Sequence, residues 1–208
     1  MMSWTAVIPV KRLDTAKTRL GAADDPRRPE LALAFALDVI SACRDAAAVT
    51  TVIVVTDDAE VIASAPGVII CPEPPGGGLN RALEHGAAAA HGPVVALAGD
   101  LPGLSPRALD FVLELAGGHE RSLLSDTAGS GTAMLCALDP RALNPLFGPQ
   151  SRSAHVESGC FDLALEGDSA TRALLAGARR DVDTPADLWD ALRIGVGTHT
   201  SRLLGRQR

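Results

Sequence analysis

The stretch Val49-Thr50-Thr51-Val52-Ile53-Val54-Val55-Thr56 constrains this chain most. Its β-branched side chains are stiff at χ1 and favour a pleated backbone. From Val52 to Val55 no polar residue alternates with the apolar ones, so both faces need cover. A strand of that kind belongs in a parallel sheet flanked by helices. Residues 4–10 and 93–98 read the same way, and residues 68–71 form a shorter strand. Between them lie helical patterns at 29–48, 57–64 and 79–90, and another follows at 105–116. Asp57-Asp58 and Ser105-Pro106 supply helix caps, with Pro106 at the first helical position. Alternating strands and helices with short connections predict a doubly wound α/β sheet.

After residue 116 the rhythm loosens. Residues 121–124 and 132–137 read as strands joined by a Gly/Ser/Thr loop. Residues 145–159 read as loop plus helix, 162–165 as a strand, and 169–178 as a helix. Residues 181–183 form a strand end before a capped helix at 185–194. The pattern gives one domain over residues 1–195 and a flexible tail over 196–208.

Composition narrows the function classes. Only 3% of the residues are aromatic and none is Tyr, which excludes a stacking platform for single-stranded nucleic acid. A formal net charge of -6 argues against broad nucleic-acid binding. The longest apolar runs fall short of the ~20 residues that span a bilayer, and the first residues carry no basic signal-peptide region. Cys43, Cys71, Cys136 and Cys160 are scattered without CxxC spacing, which suits buried thiols in a cytoplasmic protein.

Against this acidic background, Lys11, Arg12, Lys17 and Arg19 cluster directly after the first strand. Ligands of open α/β sheets sit at the carboxyl ends of the strands, so this basic loop is placed to hold a polyanion such as a nucleoside triphosphate. Walker A and GxGxxG patterns are absent, which leaves the phosphates to Lys and Arg side chains and loop amides. Lys11, Lys17 and Arg19 are the candidates; Arg12 fits an ordinary solvated cation. Asp100, in Gly99-Asp100-Leu101-Pro102, ends the fourth strand and points into the same crevice as a ligand for Mg2+. Asp181 and Asp183 share one face, and Asp183 at the lip is the second metal candidate. Thr184, Pro185 and Asp187 are explained by helix capping. Gly78 and Asn80, within Pro72-Glu73-Pro74-Pro75-Gly76-Gly77-Gly78-Leu79-Asn80, would face a base, Asn80 through its donor and acceptor. Ser151 or Ser153 would cap a helix, and His155 reads as a supporting residue rather than a base.

These pieces carry a resemblance. The run Ile8-Pro9-Val10-Lys11 through Ala16-Lys17-Thr18-Arg19-Leu20 resembles the opening of the phospholactate guanylyltransferase family, which acts on the pathway to the deazaflavin coenzyme F-420. Similar segments follow in order: Val55-Thr56-Asp57, Gly78-Leu79-Asn80, Asp100-Leu101-Pro102, Gly131-Thr132, Phe147-Gly148-Pro149-Gln150-Ser151 with His155, and Asp181-Val182-Asp183-Thr184-Pro185. The resemblance implies a single-domain Rossmann-like (GT-A-like) nucleotidyltransferase fold with a mixed, mostly parallel sheet and helices on both faces. It implies GTP as donor, with Lys17, Asp100 and Asp183 catalytic and Mg2+ between the two acids. The implied acceptor is phosphoenolpyruvate, 2-phospho-L-lactate or 3-phospho-D-glycerate, held by Thr132, Gly148 and Ser151. It further implies hand-over of the product to a downstream transferase. Two alternatives stay open: a related nucleotidyltransferase acting on a molybdopterin or sugar phosphate, and a silent nucleotide-binding regulator.

Overall fold

The computed structural model describes residues 2–16, 19–20, 25, 27–165 and 168–205. Its first half follows the expected alternation. β1 (Trp4–Pro9), α1 (Arg27–Asp45), β2 (Val49–Val55), α2 (Ala59–Ser64), β3 (Ile69–Cys71), α3 (Leu79–Ala88), β4 (Val94–Leu97) and α4 (Pro106–Ala116) come in that order. β5 (Arg121–Ser125), β6 (Thr132–Ala137), α5 (Ser151–Glu157), β7 (Phe161–Asp162), α6 (Ser169–Arg179), α7 (Pro185–Ile194) and α8 (Thr198–Leu203) complete it.

Seven strands form one sheet in the order β3-β2-β1-β4-β6-β5-β7. β1 pairs in parallel with β2 and β4, and β2 in parallel with β3. β6 runs antiparallel to both β4 and β5, while β7 is parallel to β5. The sheet is therefore mixed but mostly parallel. Strand order reverses between β1 and β4, which opens a crevice at their carboxyl ends.

Both sheet faces are buried, as the unalternating strands require. Ala6, Ile8, Val52, Val54, Val95 and Leu97 pack on the side that includes α1 and α4. Val7, Ile53, Val55, Val94 and Ala96 pack on the side of α3 with Ala82, Leu83 and Ala87. The caps behave as read: Asp58 begins α2, Ser105 begins α4, and Thr184 with Asp187 forms a capping box on α7.

Three local expectations are overturned. Residues 181–183 are not a strand end; a single backbone bond from Val182 N to Asp100 O, 3.0 Å, holds them. The expected strand at 162–165 is two residues of β7 followed by a 3-10 turn at Leu163–Leu165. The tail does not fray at Gly195. The Asp38 carboxylate, buried in α1, accepts from His199 N at 2.8 Å and Thr200 N at 3.1 Å, and so starts α8 against α1. His199 is half-buried with Nε2 3.4 Å from Ser41 Oγ.

All four cysteines are free; Cys43, Cys136 and Cys160 are buried and Cys71 is half-buried. No helix among the described residues is long and apolar enough to cross a membrane.

Candidate functional site

A cleft of about 730 Å³ lies at the reversal point, between the carboxyl ends of β1 and β4. Its lining includes Lys11, Arg19, Gly78, Asp100 and Asp183 from four separate segments. The start of the loop after β1 is fixed at two points. Val10 N donates to Val55 O at 2.9 Å. Leu13 N donates to Asp58 Oδ2 at 3.0 Å, while Asp58 Oδ1 accepts from Glu60 N and Val61 N. One carboxylate thus caps α2 and anchors the basic loop. Lys11 and Arg19 stay exposed on the cleft. Arg12 turns to Asp14, 2.8 Å away, and that guanidinium holds the Asp14 carboxyl below the usual carboxylate range. Lys17 lies outside the described residues.

Asp100 and Asp183 come together because Val182 N bonds to Asp100 O, across a gap of more than eighty residues. The α7 capping box then holds the following residue: Asp187 Oδ2 accepts from Thr184 N at 2.9 Å and from Asp183 N at 3.3 Å. Asp181 joins the acidic wall. Burial, then the charges of Asp100 and Asp183, push its carboxyl up to about 6. A concentration of negative potential at two cleft-lining carboxylates fits a divalent cation. Among the described residues no group of three or more His, Cys, Asp or Glu converges on one point. That donor set suits Mg2+, which keeps waters and phosphate oxygens around one or two carboxylates.

Gly76, Gly77 and Gly78 have φ of +83°, +53° and +98°, a run that side-chain-bearing residues rarely adopt. Gly78 then becomes the first cap residue of α3. Asn80 Nδ2 donates to Phe147 O at 3.0 Å and its Oδ1 accepts from Phe147 N at 2.8 Å. It clamps the 145–150 loop to α3, with Phe147 on the cleft wall.

The acceptor candidates adjoin the cleft rather than line it. β6 is antiparallel to β4, with Leu97 opposite Met134 and Ala98 N bonded to Ala133 O at 3.2 Å. Thr132, at the start of β6, is therefore delivered to the same sheet edge as Asp100. The hairpin before it closes on Asp126, whose carboxylate accepts from Ser130 N at 3.0 Å and Gly131 N at 2.9 Å. A Cβ on Gly131 would collide with that carboxylate, which explains the glycine. Gly148 has φ +150° and open space beside its Cα. Ser151 does not cap α5; Gln150 does so in a left-handed conformation without a side-chain bond, and Ser151 is buried in the first turn. Thr132 Oγ1 lies 2.9 Å from His155 Nδ1, and His155 Nε2 accepts from Leu146 N at 2.8 Å. Burial and then the charge of Arg121 push the His155 ring down to about 4, against a smaller opposing pull from Ser151.

Sequence reading missed Arg28 and underused Asp58 and Asp181. Arg28 is 4% exposed and donates Nη2 to Ala16 O at 3.1 Å, tying the basic loop to α1. Nothing in its local pattern announced this. Asp58 was legible only as a cap, and Asp181 only as a neighbour of Asp183.

Comparison with known proteins identifies the family and the fold. The family model described as "Guanylyl transferase CofC like" matches residues 4–207. A phosphoenolpyruvate guanylyltransferase of Streptomyces coelicolor is 45% identical, over 99% of this chain and 97% of its own. The protein of that name from Mycobacterium leprae is 39% identical, over 95% and 92%. Among solved structures, a candidate nucleotide-diphospho-sugar transferase of Desulfovibrio desulfuricans superposes with TM-score 0.70 at 17% identity, over 99% of this chain and 95% of that one. A nucleotidyl transferase from Methanothermobacter gives 0.61 at 20%, over 92% and 98%. The fold is thus that of the GT-A-like nucleotidyltransferases, and the near-complete family match and these relatives make the chain a nucleotidyltransferase belonging to the CofC-like guanylyl transferase family.

Proposed function

We propose that the protein transfers GMP from GTP to phosphoenolpyruvate, releasing pyrophosphate, in coenzyme F-420 biosynthesis. The observation that carries this reading is the presence of cations and acids in one cleft: Lys11 and Arg19 with Asp100 and Asp183 in its lining. The full-length relatives named for phosphoenolpyruvate support the choice of acceptor. 2-Phospho-L-lactate and 3-phospho-D-glycerate share its phosphate and carboxylate and are the competing acceptors.

In this reading Lys11, Lys17 and Arg19 hold the phosphates of GTP, and the backbone at Gly78 approaches the guanine. Asp100 and Asp183 hold a divalent cation, Mg2+, which when bound supplies charge neutralisation at the α-phosphate. Thr132, Gly148 and Ser151 hold the acceptor beside the cleft. A phosphate oxygen of the acceptor forms a bond to the α-phosphorus. The bond from that phosphorus to the bridging oxygen breaks, and its electrons leave with pyrophosphate. The acceptor phosphate is already ionised near neutral pH, so the step needs no general base. Catalysis rests on positioning and on neutralising charge. The product carries a reactive mixed linkage between two phosphates, which suits direct hand-over to a downstream transferase in the cytoplasm.

The test is mass spectrometry of the product from GTP with each of the three acids, alongside pyrophosphate release. A GMP adduct formed fastest with phosphoenolpyruvate supports the reading. Faster turnover of another acid, or of CTP in place of GTP, overturns it.

A further inference from the structure

His155 is fully buried, yet every polar atom of its ring is engaged. The directions of those bonds can be assigned. Leu146 N is a backbone amide, so it must donate, and His155 Nε2 must carry a lone pair to accept it. A neutral imidazole then carries its proton on Nδ1. With Nδ1 protonated, no lone pair remains there to receive a proton from Thr132, 2.9 Å away. The Thr132 hydroxyl therefore accepts from the ring, and its own O–H is left for another partner. Among the described residues the Thr132 hydroxyl makes no second hydrogen bond.

We propose that His155 is a positioning residue: it locks the Thr132 hydroxyl as a hydrogen-bond donor aimed at the anionic acceptor substrate. The proposal rests on the acceptor reading above. The relay has a structural logic. Leu146 and Phe147 are adjacent, so the amide that sets the ring tautomer belongs to the loop Asn80 clamps beside the cleft. Phe147 also meets the His155 ring edge-on, with centroids 5.2 Å apart. A loop position at the cleft wall is thereby coupled to a donor beside the cleft. A neutral ring suits the task, since an imidazolium would put protons on both nitrogens and lose the Leu146 bond.

Two measurements test it. In the first, 15N NMR of the ring reads the tautomer, with no substrate needed. A proton on Nδ1 is expected; a proton on Nε2, or a charged ring at neutral pH, overturns the proposal. In the second, steady-state kinetics separate the two substrates. His155→Leu is expected to raise KM for phosphoenolpyruvate about tenfold, the scale of one hydrogen bond to an anion, while KM for GTP stays within about twofold. His155→Asn, which keeps a donor near the Nδ1 position, is expected to recover a good part of that loss. In a Thr132→Val background, His155→Leu should add little, because the hydroxyl it directs is gone. Full additivity of the two substitutions, or an equal rise in both KM values, overturns the positioning role. If the wild-type protein turns over none of the three acids, the acceptor reading fails and this inference with it. If the wild type is active but these variants behave additively, only this inference fails.

Discussion

The two halves of the sheet build their parts of the cleft by different means. On the side of β1 to β4, the site consists of strand ends, backbone amides and glycines, with a few charges placed by local caps. On the side of β5 to β7, it consists of side chains that hold one another: Thr132 on His155, His155 on Leu146, Asn80 on Phe147, and Asp126 on its own hairpin. The first arrangement follows from topology, because ligands of open α/β sheets meet the carboxyl ends of the strands at the reversal point. The second follows from hydrogen bonds made by side chains, two of which join distant segments: Thr132 with His155 and Asn80 with Phe147. On this contrast, the nucleotide half is expected to tolerate changes of side chain that leave charge in place, and the acceptor half to be sensitive to the loss of a single polar link.

The largest expected effect falls on the nucleotide half. Asp100→Asn removes a charge from the cation site and should lower kcat by about a thousandfold or more, while the melting temperature changes little. Near-wild-type turnover would remove Asp100 from the cation site. On the acceptor half, Asn80→Ala cuts both bonds to Phe147 and leaves the Phe147 backbone groups unmatched. A loss of about 1–3 kcal/mol in unfolding free energy is expected, with a larger rise in KM for the acceptor than for GTP. A rise confined to GTP would give Asn80 a base-contacting role and erase the contrast between the halves.

Remote from both halves, Asp38→Ala removes the buried cap of α8. About 1–2 kcal/mol of stability should be lost in urea titration, with kcat unchanged. A change in kcat would mean that α8 reaches the cleft energetically. Acidification provides a subtler probe. The folded His155 ring titrates at about 4 and an unfolded one at about 6.5, so unfolding takes up a proton in the interval between them. Its contribution to stability is complete above about pH 6.5 and is lost as pH falls through that interval to about 4. The urea midpoint of His155→Leu should be less sensitive to pH over this window than that of the wild type. Equal sensitivity would show that the ring is not held neutral. The smallest effect belongs to Arg12→Ala, which should leave GTP binding within about twofold, because its guanidinium pairs with Asp14 at the exposed surface.

The parallel core was readable because continuous β-branched and apolar runs have one economical solution, a sheet covered on both faces. The caps at Asp58, Ser105 and Thr184 were readable because capping is a contest among four or five neighbouring residues. Lys11, Arg19, Gly78, Asp100 and Asp183 were readable as one site because each follows or precedes a regular element whose end points to the crevice. The tail was misread for the opposite reason. α8 begins with Gly197 and Thr198 and carries no side-chain cap of its own; its cap comes from Asp38, about 160 residues earlier. The hold of Asn80 on Phe147 was not readable, because an amide can serve a base edge or a loop backbone equally well and its partner lies 67 residues away.

The sequence by itself determined which segments are buried strands, where most helices start, and that the cations of the first loop and Asp100 would follow strand ends. Those properties depend on side-chain chemistry within a window of a few residues. Tertiary structure alone decided that β6 runs against β4 and so brings Thr132 level with Asp100. It alone decided that Val182 joins Asp100, that Arg28 ties the basic loop to α1, and which nitrogen of His155 carries the proton. Each of these depends on a donor and an acceptor that lie outside one another's local segment, and the pairing is specified by the packing of the whole sheet.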